Sequence, residues 1–487
     1  MALGFTAKAK LCKYIILGVA LLATGSCTVN PATGENQFTA FLPAGQESSV
    51  GASEHENVKK TYGNFVTGPV AEYVSKIGQK VAANTERTDV QYKFYVIDSP
   101  IVNAFAVPGG YIYISRGLMA LANDEAELAG VIAHEIGHIT ARHAATRMSQ
   151  GVLVGLGAAI LSAATGSDAV GQVANVGSDL YIKSYSRSQE TQADELGVRY
   201  LSRAGYDPNA MADFLKSLDA QTKLDQHIAG QSEGVGSSYF STHPVTADRV
   251  TNAKAVAVNY QGGKTIRNRD VYLSMINGIT YGDSEEQGFV RGDNFYHPKM
   301  GFTFSVPSGF KIDNNPSELI AANDDGAIII LDSGRDDQGR DPMAYLTQNW
   351  MKDKPPSDAE NVTINGMKAA TAAFAGTANG KSVIIRVVAI QWKPGQFFRF
   401  QMAIPQNAGT ATVEGLKRTT YSFRAMTDSE RNAIKPLKVR TFTASSSSVG
   451  EAASRMAFKD YKEERFRVLN AVAGNLTAGQ LYKVVTE

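Results

Sequence analysis

The stretch "VIAHEIGHITARH" (131–143) decides how the rest of the chain is read. An α-helix turns about 100° per residue, so His134 and His138 stand about 40° apart, one turn apart on one face. Two imidazoles placed in this way converge on a single tetrahedral ion, and Glu135 lies at the edge of the same face. This is the HExxH arrangement, in which two histidines bind a metal and the glutamate takes a proton from the attacking water. His143 falls about 180° round the helix from His134, so it shares the ion only if the helix breaks. The longer metzincin pattern needs Gly at 141 and His at 144, and both positions are Ala. His143 is therefore not expected as a ligand, and a third ligand has to come from elsewhere.

The flanking residues place the motif on a well-started helix. "NDEAELAGV" (123–131) offers Asn123 or Asp124 as N-cap and acidic residues in the first turn. Leu128, Val131, Ile132 and Ile139 follow at helical spacing. A second helix is read from "YSRSQETQADELGVRYLSRAG" (185–205), with Ser186 and Gln189 spaced as a capping box and Gly205 closing it. On it Glu190 and Asp194 share a face. Such a pair is ordinarily a solvated face. Here, where a ligand is missing, it supplies a helical Glu to bind metal and an Asp behind it to accept from a ligand's far nitrogen. Further on, "YFSTHPVTADR" (239–249) sets His243 before a proline and Arg249 after it.

The 487 residues allow two or three domains, and 43% apolar residues allow ordinary cores. A net charge of +1 gives no electrostatic ground for a nucleic-acid partner. Residues 1–27 read as a targeting segment. Lys8, Lys10 and Lys13 precede the apolar "YIILGVALLA" (14–23), which is too short to span a bilayer, and the segment ends in "TGSC". Cys27 is the expected lipid-bearing first residue of a lipoprotein, although Thr24 stands where such sites usually carry Leu. The other cysteine, Cys12, lies in the discarded segment, so no internal disulfide is expected. In a Gram-negative envelope the uncharged Thr28 points to the outer membrane.

Residues 28–50 read as an extended tether, and "YKFYVID" (92–98) as a strand. "NAFAVPGGYIYISRGL" (103–118) reads as strand, turn, strand, with "YIYIS" (111–115) the candidate edge strand for pairing with extended substrate. Its alternative is a plain core strand. The Gly-rich apolar "GVLVGLGAAILSAATG" (151–166) reads as a buried hairpin or flap rather than a membrane span.

Taken in order, "CTVNPATG", "VNAFAVPGGYIYISRGL", "HEIGH", "SRSQETQADELG" and "STHPVTADR" resemble the HtpX/CAAX prenyl protease-like zinc metallopeptidases, in their periplasmic lipoprotein branch. The resemblance covers roughly 27–255. It implies a mainly helical, gluzincin-type HExxH domain with a small edge sheet and one zinc ion per chain. It implies His134, His138 and Glu190 as ligands, Glu135 as general base and Asp194 as the residue orienting a ligand histidine. The family's later His and Arg fall on His243 and Arg249, nominees for stabilising the oxyanion. His243 could instead fill the open zinc position until substrate displaces it, or simply brace its loop. The membrane members carry several spanning helices and other relatives a tetratricopeptide array; neither is evident here.

After about 290, alternating runs such as "GFTFSVPSGF" (301–310), "KSVIIRVVAIQW" (381–392) and "QFFRFQMAIP" (396–405) predict an α+β sheet domain that faintly resembles PsbP/Mog1-like domains. The last fifty residues read β-α-α-β and look like a degenerate LysM module, which implies peptidoglycan contact. The expected division is a signal peptide over 1–27, a peptidase domain over 28–285, an α+β domain over 290–430 and a LysM-like module over 436–487. The function so implied is zinc-dependent hydrolysis of misfolded or unassembled envelope proteins, by a periplasmic enzyme lipid-anchored to the membrane. The rivals are a peptidoglycan-associated scaffold or chaperone with a latent zinc site, and a peptidase of cell-wall stem peptides.

Overall fold

The computed structural model describes residues 27–63, 65–153, 184–228, 243, 247–260, 262, 265–356, 358–378 and 380–487. The targeting segment before Cys27 and all but the first three residues of the apolar 151–166 stretch lie outside the described residues. The chain divides into two compact units: one comprises 1–59, 64–279 and 438–486, and the other 60–63, 280–437 and 487. No helix among the described residues is long and apolar enough to cross a membrane. The architecture is α+β.

In the first unit the mixed sheet runs β3-β4-β6-β5, after a separate ribbon of β1 (Cys27–Val29) and β2 (Asn36–Phe38). Its strands are β3 (Phe65–Val66), β4 (Lys93–Ile97), β5 (Ala104–Val107) and β6 (Tyr111–Ser115). "YIYIS" is therefore an interior strand: β6 pairs in parallel with β4 and antiparallel with β5, and all five of its residues are buried. Its alternation of Tyr and Ile fills both faces, which a single sequence cannot tell from an edge. The strands at the two ends of the order are β3 and β5.

Helix α1 (Pro69–Ala82) starts on a proline and buries Val74, Ile77 and Val81, the spacing of a one-sided helix. The central α2 (Glu125–Thr140) is capped by Asp124, whose carboxylate accepts from the Glu127 N–H at 2.8 Å. Every residue of α2 is buried. It packs on α1, on α3 (Arg187–Arg203) and on α4 (Ala210–Ile228), with α5 (Ala247–Val258) crossing α3 and α4. Ser186 and Gln189 form the capping box of α3.

Residues 28–50 do not form an extended tether. β1 and β2 pair antiparallel, and the turn between them is held by Asn30 Oδ1, which accepts from Ala32 N at 2.9 Å. The segment docks on the end of α2 because Arg142 is buried there. That guanidinium donates to Glu47 Oε1 (2.7 Å), Leu42 O (2.7 Å) and Thr39 Oγ1 (3.2 Å).

The last residues of the first unit follow the β-α-α-β order: strand Leu437–Thr443, helices Val449–Ser454 and Lys462–Leu469, and strand Leu481–Thr486, the two strands antiparallel. From the last strand Lys483 is fully buried, and its Nζ donates to the carbonyls of Ala120 (2.8 Å), Leu121 (3.1 Å) and Ala122 (2.7 Å), just ahead of α2.

The second unit holds a seven-stranded antiparallel sheet in the order Lys311–Asn314, Leu319–Ala322, Ile328–Arg335, Gln396–Pro405, Lys381–Lys393, Met367–Ala378, Glu360–Ile364. Its core is aromatic, with Phe302, Phe398, Phe400 and Phe423 buried together. His297 is buried beside this cluster, and burial pulls its pKa down to about 4.

Candidate metal centre

Two glycines decide how closely α2 and α3 approach. A Cβ on Gly137 would lie 3.0 Å from the Ala193 carbonyl oxygen, and one on Gly197 would lie 3.1 Å from the His134 backbone nitrogen. With hydrogen at both positions the backbones nearly touch. The short carboxylates of Glu190 and Asp194 on α3 then reach the imidazoles on α2.

His134 Nε2 and His138 Nε2 are 3.0 Å apart. The Glu190 carboxylate lies 3.6 Å from the first and 3.5 Å from the second. His243 completes the group, with its Nδ1 3.3 Å from His134 Nε2 and 2.9 Å from Glu190 Oε1. All four residues are buried, and among the described residues they form the one group of ligand atoms within 4.8 Å of one another. Bonds of about 2.0–2.1 Å at tetrahedral angles separate ligand atoms by about 3.4 Å, so the donor spacing fits a zinc ion. The far nitrogens support the same reading. His134 Nδ1 lies 2.9 Å from Asp194 Oδ1, and His138 Nδ1 lies 2.8 Å from His143 Nδ1. With protons on both Nδ1 atoms, the two Nε2 lone pairs face each other at 3.0 Å, an arrangement that a cation between them satisfies.

Behind the donors stands Arg249. Its Nε and Nη2 donate to the two oxygens of Asp194 at 2.7 and 2.8 Å, and its Nη1 lies 2.8 Å from Glu190 Oε2. The fork of the guanidinium serves these two carboxylates, and Nη1 also donates to the His243 carbonyl at 3.4 Å. Burial pushes the Asp194 pKa up, but the Arg249 pair outweighs it and brings it to about 2. For Glu190 too, burial is outweighed by His243, His134 and Arg249, and the pKa lies below the ordinary value. Burial, reinforced by neighbouring histidines, holds His138 well below its ordinary value. His134 is raised, since Asp194 overcomes the effect of burial.

Glu135 is different. It is fully buried, neither carboxylate oxygen has a hydrogen-bond partner among the described residues, and the nearest opposite group among them is His243 Nε2 at 3.6 Å. Burial raises its pKa. An unpartnered buried carboxylate costs several kcal/mol, so its persistence calls for another occupant of its surroundings.

Sequence reasoning passed over two neighbours. The Tyr185 ring stacks on His138 with centroids 3.7 Å apart, and the Arg147 guanidinium covers the other side of Tyr185 at 3.6 Å. No local pattern marks them, since each reaches the site only through the fold. The structure brings together His134, Glu135, His138, Glu190, Asp194, His243 and Arg249. Cys27 lies apart from them, in β1.

The sequence profile of Peptidase family M48 matches residues 70–257, the span that contains all seven. Metalloprotease LoiP of Escherichia coli is 31% identical over 189 residues, 38% of this chain and 69% of that protein. A beta-barrel assembly-enhancing protease of Yersinia pestis is 29% identical over 210 residues, 41% of this chain and 42% of that protein. The mitochondrial metalloendopeptidase OMA1 of Schizosaccharomyces pombe is 29% identical over 42% of this chain and 59% of that protein. The chain thus spans less than half the length of the beta-barrel assembly-enhancing proteases it matches. Among solved structures, cyanobacterial PsbP from Synechocystis aligns at 8% identity and a TM-score of 0.23 over 28% of this chain and 95% of that one, a likeness too slight to carry an argument. With a zinc-compatible donor set inside the matched span, and a metalloprotease relative covered over two thirds of its length, this chain belongs to peptidase family M48.

Proposed function

We propose that the protein is a zinc metalloendopeptidase of the cell envelope that hydrolyses misfolded or unassembled envelope proteins. His134, His138 and Glu190 hold the ion, and Asp194, fixed by Arg249, holds His134 with Nε2 turned inward. A zinc ion there acts as a Lewis acid toward the scissile carbonyl and makes water a stronger acid. Glu135 takes the water's proton and delivers it to the leaving amine. The observation that carries this reading is the pair of unpartnered Glu135 oxygens beside the donor group. The experiment is zinc content and casein hydrolysis of the purified protein beside its Glu135→Gln variant. One zinc in each protein, with turnover in the wild type alone, supports the proposal. Equal turnover in both refutes the role of Glu135, and turnover in neither leaves the scaffold or chaperone as the better reading.

His243 carries a second element of the proposal. Its Nδ1 stands at the fourth corner of the donor set, where a substrate carbonyl has to enter, so it gates the site. His243→Ala should raise peptidase activity; a loss would assign it to the oxyanion instead. Arg249, with its donors committed to Asp194 and Glu190, is assigned to holding ligands in place. β5, at one end of the sheet order, is the place proposed for an extended substrate, through main-chain hydrogen bonds. Lipidation of Cys27, and with it a periplasmic location at the outer membrane, rests on the targeting segment. Peptidoglycan contact rests on the β-α-α-β order of 437–486. Digests of purified sacculi separate the protein substrates proposed here from cell-wall stem peptides.

A further inference from the structure

His143 stands outside the donor set, yet its place in the fold is costly to make. α2 ends at Thr140, and Arg142 then adopts a left-handed conformation with φ of 55°. Only a few per cent of non-glycine residues do so, and they persist where surroundings over-determine them. The surroundings here are the hydrogen bonds from the Arg142 guanidinium to the N-terminal segment, to Glu47, Thr39 and Leu42. The reversal turns His143 back onto His138, and the two Nδ1 atoms meet at 2.8 Å. His143 is buried.

From His143 a hydrogen-bonded chain continues outward. His143 Nε2 meets Gln192 Oε1 at 2.9 Å, and Gln192 Nε2 donates to Glu35 Oε2 at 2.8 Å. One set of proton positions satisfies every link. The Glu35 carboxylate only accepts, so the Gln192 amide nitrogen donates to it and the amide oxygen accepts. His143 therefore carries its proton on Nε2 and accepts at Nδ1. His138 then carries its proton on Nδ1, which leaves Nε2 bare toward His134 and Glu190.

We infer that His143 is a positioning residue for His138, and that the segment 27–47 completes the metal centre by supplying Glu35 to the outer end of this chain through Gln192. The inference rests on the proposed zinc site. It adds that the ligand set is finished only when the N-terminal ribbon is docked. Removing the acceptor behind a ligand histidine ordinarily weakens metal binding 10–100-fold. The carboxylate at the far end acts through two intervening groups and has a smaller effect, about threefold by the same reasoning.

The test measures zinc affinity of the full chain by competition with a chromogenic chelator, beside thermal unfolding of the metal-free proteins. His143→Leu, which keeps bulk and loses the acceptor, is expected to weaken zinc binding at least tenfold. His143→Gln, whose amide oxygen can accept from His138, is expected to recover most of that loss. Glu35→Gln, at an exposed position where folding is not at stake, is expected to weaken binding about threefold. A merely structural role predicts lower melting temperatures with unchanged affinity, or equal losses for Leu and Gln at 143. Either result overturns the inference while His138→Ala still abolishes zinc binding. A wild-type protein that binds no zinc overturns the metal-centre reading itself, and this inference with it.

Discussion

Gly130 and Gly137 lie on the same face of α2, two turns apart, and replacing each with alanine should move stability in opposite directions. At 130 the new methyl group would lie 3.4 Å from Met211 Cα, 3.5 Å from Met211 N and 3.7 Å from Leu201 Cδ2. These are ordinary contacts, so the usual gain of Ala over Gly within a helix, about 0.5–1 kcal/mol, is expected in full. At 137 the methyl would lie 3.0 Å from Ala193 O and 3.3 Å from Ala193 Cα and Leu196 Cβ. Carbon atoms prefer about 3.5–4.0 Å, and two of the three neighbours belong to backbone that cannot rotate away. α3 must retreat by a few tenths of an ångström inside a closely packed interior. Overpacking of this kind costs about 1–3 kcal/mol. After the same helix gain is subtracted, a net loss of about 1 kcal/mol, in a range of about 0–2.5, remains.

The retreat also has a chemical consequence, because α3 carries Glu190 and Asp194. Moving it opens the 2.9 Å contact between His134 Nδ1 and Asp194 and the distances from Glu190 to both ligand histidines. Gly137→Ala should therefore lose zinc affinity as well as stability, whereas Gly130→Ala should keep the first and gain the second. Urea unfolding of the metal-free proteins, with zinc affinity measured in parallel, checks both. If Gly137→Ala is as stable as the wild type and binds zinc equally well, the close approach of α2 and α3 does not set the ligand geometry. A Gly130→Ala variant destabilised by more than about 1 kcal/mol would refute the use of these distances to assign the sign.

Three further outcomes follow from named contacts. Asp194 has a pKa of about 2 in the folded, metal-free protein against an ordinary 3.8, so its stabilising contribution, about 2 kcal/mol, is present above about pH 5 and is lost as pH falls toward 2. Because Asp194 also raises the His134 pKa, the stability gap between wild type and Asp194→Asn should hold or widen from pH 7 to about 5 and close below it; a gap already closing at pH 6 contradicts the assignment. Lys483→Met removes a donor from the carbonyls of Ala120, Leu121 and Ala122; Leu121 O still accepts from Asn123 Nδ2 at 3.1 Å, and each of the other two costs about 1–3 kcal/mol when it loses its partner. Thermal unfolding should show a loss of about 2 kcal/mol or more, and a near-neutral variant would mean that the last strand does not brace the start of α2. Removing zinc with a chelator should lower the melting temperature, and zinc added back at a hundred times its dissociation constant should restore about 2.7 kcal/mol.

What the amino-acid pattern could and could not convey follows from the range of the contacts involved. α2 and α3 were legible because their caps and apolar spacings are local. That His134 shares a face with His138, and Glu190 with Asp194, could be read because one helical turn relates each pair; that the two pairs meet depends on the packing of α2 on α3. The order of β4, β5 and β6 was not, since a parallel partner is chosen by the whole fold and a strand buried on both faces carries no edge signal. Arg249 could be nominated for the site, but its commitment to Asp194 and Glu190 depends on where α5 crosses α3. His143 shows most clearly where local reasoning stops. Helical geometry put it on the far side of α2, and that inference holds for as long as the helix continues. The helix ends because Arg142 takes a backbone conformation for which its residue type gives no warning. What holds it there is Glu47, Thr39 and Leu42, about a hundred residues earlier in the chain. The stretch that looked like a featureless tether is thus the reason the third histidine of "HEIGHITARH" faces the site. A substitution at Thr39 or Glu47 should then act on zinc affinity through the Arg142 turn.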